Sequence, residues 1–135
     1  MYRIIVRVAP AIVAAAALVA TATGHVVAHH SFASFDISKE STVTGKVRQV
    51  DWTNPHTWIW VDVPNDAGGA DTYGFEGMSP NYLARRGWKR TTLQVGDTIT
   101  VTYRPLRDGQ NGGMFMRATR PDGLVLTMGG ASTEP

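Results

Sequence analysis

The 135-residue chain contains no cysteine. That excludes a disulfide-stapled scaffold, a thiol nucleophile, a cysteine zinc site, an iron–sulfur centre and acylation of a lipoprotein. Acidic residues are also missing from the start of the chain, where none precedes Asp36. Lys and Arg number 13 against 11 Asp and Glu, and the excess is Arg3 and Arg7. The part of the chain that folds is therefore neutral, and charge-driven nucleic-acid binding loses its support. No G-x-S-x-G, H-E-x-x-H or glycine-rich phosphate loop occurs, and nothing in the spacing brings Asp51 and Glu76 together as an acid–base pair. An enzyme is not expected. No apolar run is long enough to cross a bilayer comfortably.

What is present begins with an export address. Arg3 and Arg7 form a basic start, Val8 to Ala20 an apolar stretch, and small residues follow. Two cuts fit. Ala20-Thr21-Ala22 crowds the apolar run, whereas Val26-Val27-Ala28 leaves a normal spacer and is preferred. The expected organisation is a signal peptide over 1–28, an arm over 29–40, a β-barrel over 41–128 and a flexible tail over 129–135. The expected location is the periplasm or the medium, with no stable membrane span after processing.

Beyond the arm, alternation takes over. Thr42 to Val50 reads as a strand interrupted by Gly45, and Thr57 to Val63 is the strongest strand, aromatic and β-branched. Pro64 to Gly69 is a turn, and Asp71 to Gly77 a weaker strand. Ser79-Pro80 opens about two turns of helix that stop at Gly87. Thr98 to Tyr103, Met114 to Thr119 and Leu124 to Met128 are further strands. Three strands, a helix and two strands is the order of an OB-type barrel. The fold class is therefore all-β, an OB-like Greek-key barrel of five to six strands with one short helix. A small open β-sandwich is the rival, and the four Trp are expected to supply much of the core.

Several segments resemble one family. They are His29-His30-Ser31-Phe32, Asp36, Thr44-Gly45-Lys46-Val47, Trp52-Thr53-Asn54-Pro55-His56, Ser79-Pro80-Asn81, Arg85-Arg86-Gly87-Trp88 and Gly96-Asp97. Together they are similar to the DUF6152 group of small exported bacterial proteins. The resemblance implies periplasmic residence and a compact β fold, and it carries no established activity.

The histidines carry the candidate chemistry. A cut after Ala28 makes His29 the first residue, so that its amine and Nδ1 chelate one metal, with His30 or His56 as third nitrogen. Such tetragonal nitrogen ligation suits Cu(II). A cut after Ala22 would instead expose Thr23-Gly24-His25, also copper-competent. Copper is the one cofactor expected, and a metal-trafficking or envelope protein the expected partner. Met78, Met114, Met116 and Met128 suit Cu(I) thioether ligation, although packing is the ordinary use of methionine. Trp58 and Trp60, on one strand face, with Arg85 and Arg86 at the helix end, make an alternative ligand face for a non-metal envelope module.

Overall fold

In the computed structural model, residues 32–133 are described. The export segment, His29 and His30 lie outside them. A 3₁₀ turn (Phe32–Ser34) leads into seven strands: β1 (Ser41–Asp51), β2 (Trp58–Pro64), β3 (Ala70–Glu76), β4 (Thr98–Pro105), β5 (Gly112–Thr119), β6 (Leu124–Thr127) and β7 (Gly130–Thr133). One helix, α1 (Pro80–Ala84), lies between β3 and β4.

β1 is long enough to serve two neighbours. Its first half pairs with β4, from Ser41↔Tyr103 to Lys46↔Thr98, and its second half with β2, from Lys46↔Asp62 to Asp51↔Trp58. A bulge between Val47 and Gln49 bends the strand between these duties. β2 pairs with β3, and β4 and β5 run antiparallel. A parallel pairing of β3 with β5, Gly74↔Gly112 to Glu76↔Met114, joins the ends into a closed five-stranded barrel. The sandwich alternative falls on this closure, and the OB-like order holds.

Ile59, Val61, Phe75, Ile99, Val101 and Phe115 point inward and are at most 1% exposed. Leu83 of α1, Trp88 and Leu93 join the same core. Ser79 caps α1 by accepting the Tyr82 amide at 3.3 Å, Pro80 opens it, and Gly87 (φ +90°) lies just beyond its end. The tryptophan expectation fails in part, because of the four only Trp88 is buried. The parity that sends Ile59 and Val61 inward sends Trp58 and Trp60 to the outer face, and the narrow interior takes the smaller side chains.

The expected tail is also partly structured. Residues 130–133 pair with β6, Thr127↔Gly130 to Leu124↔Thr133, across Met128-Gly129. Gly-Ala-Ser-Thr has no apolar alternation to announce a strand, and it is held by main-chain bonds to its one neighbour.

One interior group is out of balance. The Thr57 hydroxyl is fully buried and has no hydrogen-bond partner among the described residues. Thr57→Val should remove that desolvation cost and stabilise the domain by about 1 kcal/mol. A thermal melt should rise by roughly 4–8 °C. An unchanged or lower midpoint would mean that the hydroxyl is satisfied in solution.

Candidate functional site

The site is built where the closure of the barrel meets the start of β2. Asn54–Pro55 is a cis peptide, and it precedes His56. Beyond it, the Thr57 amide donates to the Met78 carbonyl at 3.1 Å and the Gly77 amide to the Thr57 carbonyl at 2.8 Å. These two bonds extend the β2–β3 ladder and fix His56 beside the end of β3. There His56 Nδ1 meets a Glu76 carboxylate oxygen. Glu76 in turn stands opposite Met114 across the β3–β5 seam.

A cavity of about 200 Å³ opens at this point. Its polar side chains are His56 and Glu76. Met78 lines it from beyond β3, Met114 and Met116 from β5, and Met128 from the β6–β7 turn. Phe32 and Phe35 line it from the arm, and among the described residues no Lys or Arg lines it. A second cavity of similar size shares Phe35 and Glu76 and reaches Trp58.

The arm is tied down locally. Phe35 is buried and bridges Leu106, and the Asp36 amide donates to the Pro105 carbonyl at 2.8 Å. The Asp36 carboxylate accepts from the Ser38 hydroxyl at 2.6 Å and pairs with Lys39 at 3.2 Å. These contacts, the Ser38 bond foremost, hold its pKa below the usual carboxylate value.

Among the described residues no three His, Asp, Glu or Cys side chains gather as a metal cluster. His56 and Glu76 are a pair. Four methionine side chains line the same cavity as that pair, a convergence that sequence spacing does not announce. Glu76 went unnoticed as the partner of His56, because the two are twenty residues apart and meet only through β2–β3 register.

Trp58 and Trp60 stack with centroids 5.5 Å apart and planes at 15°. Trp60 donates its indole N–H to Asp51 at 2.8 Å and covers Gly74, where a Cβ would come within 2.6 Å of the ring. Arg85 and Arg86 are otherwise engaged. Arg85 donates to the Asn81 carbonyl at 3.1 Å, and Arg86 donates to the Tyr82 carbonyl and lies 3.5 Å over the Tyr82 ring. Both serve the end of α1, where cations favour the helix dipole.

Residues 15–116 match the family of unknown function DUF6152. The chain belongs to the DUF6152 family. No curated protein and no solved structure matches it. The matched span of this DUF6152 protein covers β1 to β4, α1 and the first half of β5. His56, Glu76, Met78, Met114 and Met116 lie within the match, whereas Met128 and the β6–β7 hairpin lie beyond it.

Proposed function

We propose that this DUF6152 protein is an exported copper-binding barrel, a carrier or buffer rather than an enzyme. The observation that supports the reading best is His56, whose Nδ1 is engaged by Glu76 beside a sulfur-lined cavity. A histidine held through one nitrogen by a carboxylate keeps the other as a lone-pair donor of fixed direction, the usual support of a metal-binding imidazole. The basic and apolar start of the chain supports export. His29 and His30 supply the nitrogen donors for Cu(II), with the His29 amine as chelating partner once Ala28 is the last residue removed.

The test is intact mass of the exported protein followed by Cu(II) titration. A first residue at His29 and one tightly bound Cu(II) are expected. One extra residue ahead of His29 keeps every imidazole but moves the amine out of chelate range, and it should weaken Cu(II) binding roughly tenfold or more. His25, removed with the signal, should have no influence. Equal affinity for native and extended termini would overturn the amine chelate.

The second reading rests on the parallel Trp58–Trp60 pair and its Asp51 anchor. It takes the outer face of β2 as a platform for an envelope polymer or peptide. A protein without stoichiometric copper whose tryptophan fluorescence responds to envelope fragments would favour it.

A further inference from the structure

The chain has five methionines, and the four among the described residues all line a single cavity. They reach it from three separate places in the fold: the end of β3, the β5 strand and the β6–β7 turn. Methionine used as core filler would sit inside the barrel. Met114 and Met116 instead flank the buried Phe115 and so share the outer parity of β5. Core packing therefore does not account for Met114 and Met116, while Met78 and Met128 border the core and the cavity alike.

The other properties of the cavity agree on a ligand. Thioether sulfur is a soft, uncharged donor that selects Cu(I) over Cu(II) and over hard divalent ions. Phe32 and Phe35 make the remaining wall apolar, which disfavours the water and oxygen ligands that Cu(II) retains. The charge also fits a monovalent cation, since among the described residues Glu76 contributes one carboxylate and no Lys or Arg lines the space.

We infer that this cavity is a Cu(I) site whose donors are drawn from the thioethers of Met78, Met114, Met116 and Met128 together with His56 Nε2. Glu76 orients the imidazole through Nδ1 and balances the ionic charge. The inference rests on the copper reading above and shares His56 with it, but its thioether donors and oxidation state differ from the His29 amine chelate, so the chelate and the thioether site fail separately. Ag(I), closed-shell and stable in air, shares these ligand preferences and serves as a probe.

The experiment uses the exported protein. With methyl-labelled methionine, one equivalent of Ag(I) should shift the methyl resonances of Met114 and Met116 and of at least one of Met78 and Met128. Under reducing conditions, competition with a chromophoric Cu(I) chelator should give one tight site. Met114→Leu with Met116→Leu, which keeps side-chain volume, should weaken Cu(I) binding roughly 30-fold or more. The same double variant should leave Cu(II) binding unchanged, whereas the extended N-terminus should do the reverse. Wild-type Cu(I) affinity in a double variant with an intact cooperative melt would overturn the inference, as would methionine methyl resonances unmoved by Ag(I). If the double variant fails to fold, the wild-type Ag(I) spectrum decides alone.

Discussion

Gly112→Ala should leave the protein without a stable closed barrel. Gly112 has φ +124°, a region that penalises any side chain, and its built Cβ falls on the Gly74 carbonyl of the neighbouring strand. Neither obstacle can yield cheaply, because β3 and β5 must approach backbone to backbone to pair at Gly74↔Gly112. The expected cost is about 4 kcal/mol or more, comparable with the entire stability of a small domain. Gly109→Ala is the control. It too has positive φ, +78°, but nothing lies within 4 Å of its Cβ position, so its cost should be about 1 kcal/mol. Urea unfolding followed by far-ultraviolet circular dichroism compares the two. Equal losses would mean that closure does not depend on the close approach at Gly112.

Phe75→Ala should be nearly as damaging, at about 3–5 kcal/mol. The ring is fully buried and packs 4.9 Å from Tyr103 and 6.2 Å from Tyr73, centroid to centroid. The variant carries a second, independent signature. Burial, with Tyr73 nearby, pushes the Tyr103 phenol above its usual value of about 10. A group whose folded pKa is raised stabilises the fold fully below its unfolded value. That contribution disappears as pH climbs through the folded value. Opening a cavity beside Tyr103 admits water, so its titration should move back toward 10, and the variant's stability, lower throughout, should depend less on pH above 10 than that of the wild type. Spectrophotometric titration of tyrosine in wild type and variant reads this directly. A Tyr103 titration unmoved by the loss of Phe75 would show that the ring does not keep the phenol dry.

The features that could be read in advance are those with local physical causes. Period-two alternation located β1 to β6, and Ser79-Pro80 with Gly87 bounded α1, because capping and turn chemistry act within a few residues. Strand order made the barrel legible as well. β7 was not legible, because main-chain pairing to β6 leaves no trace in side-chain pattern. The orientation of Trp58 and Trp60 depended on the width of the interior, which only closure sets. Among the site residues, His56 stood out by type. Its partnership with Glu76 and the convergence of four distant methionines are consequences of register, and no spacing rule encodes them. Trp and Arg, grouped from sequence as one face, sit on different elements with different partners.

β5 carries more of the architecture than its eight residues suggest, since it pairs with β4, β3 and β6 at once. A strand with neighbours on both sides and a third along its length has no side from which to fray. Opening it requires most of the barrel to come apart. Among the described residues β7 pairs with β6 alone, and the turn carrying Met128 can loosen at far smaller cost. The cavity therefore has walls of unequal stiffness. Met114 and Met116 stand on the strand whose amides should exchange most slowly with solvent, and Met128 on a hinge-like margin that opens first.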